Sequence, residues 1–224
     1  GIGMAEKQYF RNHIKRFYST NGRTFFWRKR KLPAFQVLIV ELFLQKTRAE
    51  NAENIISQFI KEYPSNQKLY IARKKTIFRK ISRLGLGNQR SKALRNISLY
   101  LHAHHRDRIP KDINDLRKIP NIGMYIANAI MCFAFGKRYP LLDVNTSRII
   151  SRFFSINNHV DLRRNSELYN QSQKLVPYKH IKEYHWGLLD LGALFCRTKP
   201  ICCKCPLKRK CSYFINTSKE IRKR

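Results

Sequence analysis

The sequence predicts an all-α protein with short loops. Apolar residues recur at helical steps of three and four along nearly the whole chain, no run alternates as a half-buried strand does, and no repeat of solenoid period is present. Phe10, Ile14 and Phe17 define a first helix, which stops near Thr20-Asn21-Gly22. Phe35, Leu38, Ile39, Leu42 and Phe43 make a second apolar face. Ile55, Ile56, Phe59, Ile60 and Tyr63 make a third, closed by Pro64. Further helical faces follow at Ala93-Leu94-Ile97-Leu101, Ile126–Phe135, Ile149–Phe154 and Leu188–Phe195. Gly85-Leu86-Gly87, Ile109-Pro110, Ile119-Pro120 and Tyr139-Pro140 punctuate them.

The 224 residues suit one compact domain or two small interlocked ones, and 43% hydrophobic content is too much for a disordered chain. No apolar stretch reaches the ~20 residues that span a bilayer; the longest, Val37–Leu44, is interrupted by Glu41. Gly1-Ile2-Gly3 before Met4 reads as an appended remnant and Met4 opens a polar segment, so no secretory signal is expected. Charge is the strongest compositional signal. Forty-six Lys and Arg against 14 Asp and Glu give a net charge of +32. Such a chain repels itself unless it meets a polyanion, which makes nucleic acid the leading partner. An anionic membrane face is second, because the basic residues are dispersed rather than gathered in one amphipathic helix.

Five of the six cysteines fall within residues 196–211, and without a signal peptide a disulfide framework is a poor reading. The run Cys196-x5-Cys202-x2-Cys205-x5-Cys211 supplies four thiolates in one short loop, suited to tetrahedral zinc or a [4Fe–4S] cube. Structural zinc usually uses two close cysteine pairs set far apart, and only the middle pair is close here, so the spacing favours a cluster. Cys203 is surplus and is taken as a non-ligand; Cys132, within Ile130-Met131-Cys132-Phe133, reads as core.

Three further positions stand out. Glu41 is the only polar residue in an apolar run, so it is either a paired core carboxylate or a cleft carboxylate whose pKa desolvation raises. Gln45 lies one turn on. Asp112–Lys118 reads as a short helix, Ile119-Pro120-Asn121-Ile122-Gly123 as a tight hairpin, and a second helix opens at Met124. This is either an ordinary αα turn or a helix-hairpin-helix, whose backbone N–H groups hold a DNA phosphate regardless of base sequence. Asp143 follows the turn Tyr139-Pro140-Leu141-Leu142 and precedes the helix carrying Ile149 and Phe153. It is either an N-cap or a functional acid.

Together these elements resemble the helix-hairpin-helix DNA glycosylase superfamily, in its endonuclease III/MutY branch with a C-terminal iron–sulfur loop. Asn21-Gly22-Arg23…Trp27, Val37–Thr47, Gly85–Arg90, Ile119–Phe135, Pro140–Arg148 and Asp190–Cys211 occur in the family's order and cover nearly the whole chain. The resemblance implies two helical lobes with the active cleft between them. One is a six-helix barrel over residues 24–136; the other joins 4–23 to 137–214 around a [4Fe–4S] cluster on Cys196, Cys202, Cys205 and Cys211, with 215–224 a basic tail. Asp143 takes the place of the family's catalytic aspartate, Glu41 hydrogen-bonds or protonates the departing base, and Gln45 matches the wedge position. Asn121 and Gly123 hold the hairpin phosphate, while Arg197 and Lys199 lie in the cluster loop that meets DNA.

Position 125 discriminates within the family: strand-cutting members carry a lysine there that forms a Schiff base, and MutY-type adenine glycosylases usually a serine. Tyr125 is shared with archaeal-type thymine glycosylases acting at T:G mismatches, which implies a monofunctional enzyme for T:G and U:G. Adenine removal and excision of oxidised pyrimidines are the alternatives within the family, and a non-catalytic DNA-binding protein is the alternative of another class. MutY-type enzymes normally add a domain reading 8-oxoguanine, and the sequence stops soon after Cys211. The expected setting is a monomer on double-stranded DNA, cytoplasmic and nucleoid-associated in a prokaryote, with no membrane role. Asn121 stands where the family hairpin has its first glycine, a substitution that a left-handed backbone tolerates. The first cysteine interval is five residues where the family usually has six.

Overall fold

The computed structural model describes residues 1–85, 87–158 and 161–222, so Leu86, within the glycine turn read from the sequence, and the last two residues of the expected tail lie outside the described residues. Among the described residues there are helices and turns and no strand. In chain order the α-helices are α1 (Met4–Asn21), α2 (Phe26–Lys29), α3 (Ala34–Leu44), α4 (Ala49–Glu62), α5 (Asn66–Tyr70), α6 (Lys74–Ile81), α7 (Gly87–His105), α8 (Ile113–Lys118), α9 (Met124–Phe133), α10 (Val144–Phe154), α11 (Ser166–Leu175), α12 (Ile181–Leu194) and α13 (Ser212–Arg222). They gather into two compact units, residues 24–137 and residues 1–23 with 138 onward. No helix among the described residues is long and apolar enough to cross a membrane.

In the unit of residues 24–137, α3 buries Phe35 and every residue from Val37 to Phe43. A helix apolar all round belongs in an interior, and α3 packs against both α4 and α9. The helix α4 is amphipathic and turns Ala52, Ile56, Phe59 and Ile60 inward, with Phe59 edge-on to Phe43 at 5.0 Å. α9 is buried from Ile126 to Phe133, and Cys132 is a core residue within it. α7 packs on α5 and α6. A Cβ on Gly87 would stand 2.9 Å from the Ser82 Cα, so glycine lets the start of α7 close on the preceding turn.

In the other unit Phe10, Ile14 and Phe17 of α1 face α12. Gly187 permits this contact, since a Cβ there would lie 2.8 Å from the Ile14 carbonyl oxygen. Asp190, fully buried on α12, accepts from the backbone N–H of Arg23 at 2.8 Å and from its Nε at 2.7 Å. That pair anchors the chain just after α1. α10 packs on α12 with Ile149, Ile150 and Phe153 inward.

The apolar periodicity locates the long helices and misses α6, α11 and α13. α6 buries only Ile77 and Ile81, and α13 buries nothing, so neither shows a full stripe. Residues 215–222, expected as a tail, instead continue α13 as helix.

Candidate active site and cysteine loop

Asp143 is the N-cap of α10, presented by a turn in which Pro140, Leu141 and Leu142 are buried while its own side chain is half-buried. Its Oδ1 accepts from the Thr146 backbone N–H at 2.7 Å, and its own N–H donates to the Thr146 hydroxyl at 3.0 Å, forming a capping box. The Thr146 hydroxyl is anchored in turn on the Leu141 carbonyl at 2.8 Å. Among the described residues Oδ2 accepts no hydrogen bond. The structural and chemical readings of Asp143 are therefore compatible: one carboxylate oxygen holds the helix, and the other is free to act.

In the unit of residues 24–137, Glu41 is 8% exposed among the apolar side chains of α3. Gln45 caps the C-terminus of the same helix and is exposed. α8 begins at Asp112, which accepts from the backbone N–H groups of Asn114 and Asp115 at 2.9 and 3.0 Å. The following turn reverses direction at Asn121, whose φ is +63°. Asparagine is among the few non-glycine residues that take this conformation readily. Its Oδ1 also accepts from the Asn96 side-chain amide at 3.3 Å, which ties the turn to α7.

Gly123 precedes α9 with a φ of −78°, and a Cβ there would meet nothing within 4 Å. Neither strain nor packing requires glycine at this point. Among the described residues no N-cap side chain hydrogen-bonds the start of α9, so the helix N-terminus at exposed Gly123 is electrostatically suited to an anion. Tyr125, the second residue of α9, is half-buried.

Cys196, Cys202, Cys205 and Cys211 line one pocket together with Phe195, Pro200 and Phe214. Cys203 is exposed and Cys132 lies in the other unit. Burial, then the neighbouring cysteines, raise the thiols of Cys202 and Cys205, the latter to about 11; burial also raises that of Cys211. Among the described residues no three ligating side chains converge closely enough for a single metal ion. A mononuclear zinc site needs its sulfurs ~2.3 Å from one point. Four thiolates are the donor type of a [4Fe–4S] cluster as well as of tetrahedral zinc, and the four cysteines fit either by donor type.

Sequence reasoning missed the residues that brace this loop. Arg148 donates from Nε and Nη2 to the Cys196 carbonyl at 3.1 and 3.0 Å, and from Nη2 to Asn145 Oδ1 at 2.8 Å. Arg152 donates to the carbonyls of Arg197 and Thr198 at 2.6 and 2.9 Å and lies over the Tyr213 ring. The helix that opens at Asp143 thus carries, one and two turns on, two guanidinium groups gripping the cysteine loop. The available signal was an arginine pair at i and i+4 on a helix otherwise read only for its apolar face. Arg197 and Lys199 are exposed on the loop so held.

An all-helical scaffold with a helix–turn–helix entering a bare N-terminus, a capped aspartate and a four-cysteine loop defines the class. The match to the HhH-GPD superfamily of base excision DNA repair proteins runs over residues 39–177, and the chain belongs to that family. It is 30% identical to the thymine/uracil-DNA glycosylase of Methanothermobacter thermautotrophicus, over 95% of this chain and 96% of that one. It is 33% identical to the thymine/uracil-DNA glycosylase of Pyrobaculum aerophilum, over 95% and 94% of the two chains. Its fold matches that of a thermostable thymine-DNA glycosylase with a TM-score of 0.89 at 28% identity, covering 95% of this chain and 98% of the other.

Proposed function

We propose that this chain is a monofunctional DNA glycosylase that hydrolyses the N-glycosidic bond of thymine or uracil opposite guanine. The observation that carries the enzymatic reading is the divided engagement of Asp143, one oxygen spent on the helix and the other uncommitted. The relatives that match along more than nine-tenths of their length supply the choice of base.

The target nucleotide must leave the stack before it can react, at a cost of a few kcal/mol that is smallest for a mismatched base. Gln45, exposed at the end of α3, fills the space left behind. As the bond from C1′ to the base nitrogen breaks, positive charge develops on the sugar. The Asp143 carboxylate stabilises that charge and takes the proton of the water that adds at C1′. The electron pair leaves with the base, which Glu41 hydrogen-bonds or protonates, and the products are the free base and an abasic site. Two carboxylates in unlike settings, one buried and one half-exposed, suit that division of roles. Tyr125 packs against the everted nucleotide; a phenol cannot form an imine with the sugar, so strand cleavage is not expected.

Cys196, Cys202, Cys205 and Cys211 would hold a [4Fe–4S] cluster, whose contribution is to order the loop. Arg197 and Lys199, with the bare start of α9 at Asn121–Gly123, then meet backbone phosphates. The partner is double-stranded DNA, met by a monomer, in the cytoplasm beside the nucleoid of a prokaryote. If ~6–10 phosphates are engaged, affinity falls by orders of magnitude between low and moderate salt.

The test is a panel of duplexes bearing T:G, U:G, A:G, A opposite 8-oxoguanine, and an oxidised pyrimidine, with alkali revealing abasic sites. Excision from T:G and U:G, with no protein–DNA adduct trapped by borohydride, is the expected result. Preferred release of adenine or of the oxidised pyrimidine refutes the choice of substrate, and a borohydride adduct refutes monofunctional action.

A further inference from the structure

Arg90, on α7, is 5% exposed, an unusual degree of burial for a cation that has no carboxylate partner among the described residues. Both of its observed hydrogen bonds leave one nitrogen: Nη2 donates to the Gln45 carbonyl at 2.6 Å and to the Thr47 hydroxyl at 2.7 Å. The two acceptors bracket Lys46, a non-glycine residue with a φ of +57°. Nη1 is sheltered and meets no acceptor among the described residues. A donor left unmet in the interior destabilises the fold, so burial of the guanidinium is explained by what Nη2 does at the turn.

We infer that Arg90 is a positioning residue that clamps the Gln45–Thr47 turn and so presents the exposed Gln45 side chain in one fixed place to fill the gap left by an everted nucleotide. This rests on the role proposed above for Gln45. The clamp grips the carbonyl of Gln45, not its amide, and therefore acts whatever side chain stands at 45. The two hydrogens on Nη2 lie in the guanidinium plane and hold a carbonyl and a hydroxyl at a fixed angle. A lysine ammonium lacks that planarity and holds the turn less well. Left unclamped, a turn with a left-handed Lys46 has an alternative in the ordinary backbone regions, and Gln45 then samples positions outside the gap.

The experiment uses duplexes with an uncleavable target nucleotide at T:G, U:G or A:G and 2-aminopurine beside it, whose fluorescence rises when its neighbour leaves the stack. Wild type is expected to raise the signal on at least one duplex. On that duplex Arg90→Met should weaken base eversion on the order of tenfold or more, as misplacement of a site group does, with matched-duplex affinity unchanged. Gln45→Ala should show a similar loss, and the double variant no more than Gln45→Ala alone. Arg90→Lys should fall between wild type and Arg90→Met. Wild-type signal from Arg90→Met, or losses that add in the double variant, overturns the inference. If Arg90→Met does not fold, the same comparison made with Arg90→Lys decides by the same two criteria. Failure of wild type to evert any target refutes the glycosylase reading and the clamp together; wild-type eversion unaffected at position 90 refutes the clamp alone.

Discussion

Asp143→Asn separates the two engagements of one carboxylate. Asparagine keeps an oxygen where Oδ1 accepts from the Thr146 N–H at 2.7 Å, and asparagine and aspartate are equivalent N-caps, so α10 keeps its start. What the fold loses is one negative charge at a helix N-terminus, worth about 0.3–1 kcal/mol, which lowers the melting temperature by at most about 4 °C at this chain length. In the proposed mechanism the reaction loses the anion that stabilises the sugar and the acceptor of the water proton, together worth about a thousandfold or more, or about 4 kcal/mol of barrier. Asp143→Ala removes the cap as well and should cost a further ~0.5–2 kcal/mol of stability. The assay is single-turnover excision from a U:G duplex, with mismatch affinity by fluorescence anisotropy and a thermal melt of each variant. Asp143→Asn should bind and melt nearly as wild type does and excise almost nothing. If it excises within tenfold of wild type, Asp143 is a helix cap and nothing more, and the mechanism is wrong.

Other perturbations have equally definite outcomes. With the proposed [4Fe–4S] cluster the purified protein should be brown and contain iron; Cys205→Ser should abolish both, while Cys203→Ser, at an exposed position, leaves both unchanged, and equal loss from the two would reassign the ligands. Asn121→Val forces a β-branched residue into a left-handed backbone and should cost about 1–2 kcal/mol and weaken DNA binding, whereas Asn121→Gly should be near neutral in urea melts. His185 is buried and stays neutral, its pKa pushed down to about 3 by desolvation against an opposing backbone hydrogen bond to Tyr139. Between that value and the ~6.5 of a free imidazole the unfolded chain binds a proton that the folded chain does not. Stability is therefore full above about pH 6.5 and falls as the pH drops toward 3, by about 2–3 kcal/mol near pH 4.5. Urea melts of His185→Asn should show a flatter acid limb, and an unchanged limb would assign the acid sensitivity elsewhere.

Much of the fold was legible because burial writes a period into the chain. Phe10, Ile14 and Phe17, and the apolar run of α3 broken only by Gln36 and Glu41, name their helices without reference to any partner. Asn121 was legible for a related reason: so few residue types accept a left-handed backbone that an asparagine in a Pro-x-x-Gly turn points to its own φ. The four cysteines stand out by type and spacing, whereas Asp143 read by itself is equally an N-cap, and its catalytic candidacy came from the family resemblance. By contrast, α6 buries only Ile77 and Ile81, α11 only Leu168, Ser172 and Leu175, and α13 nothing, so none of the three carries a long apolar stripe.

The amino-acid sequence by itself determined the helical class, the order of the elements, the cysteine set and the candidate acids, because each follows from local periodicity or from side-chain chemistry. Only the tertiary structure decided which arginines among so many basic residues are structural. Arg23 on buried Asp190, Arg90 on the Gln45 turn, and Arg148 and Arg152 on the cysteine loop reach partners far away along the chain. It also decided how Asp143 divides its two oxygens. A hydrogen bond depends on a few tenths of an ångström and an angle between groups that the backbone brings together only after packing, and no spacing along a sequence encodes that.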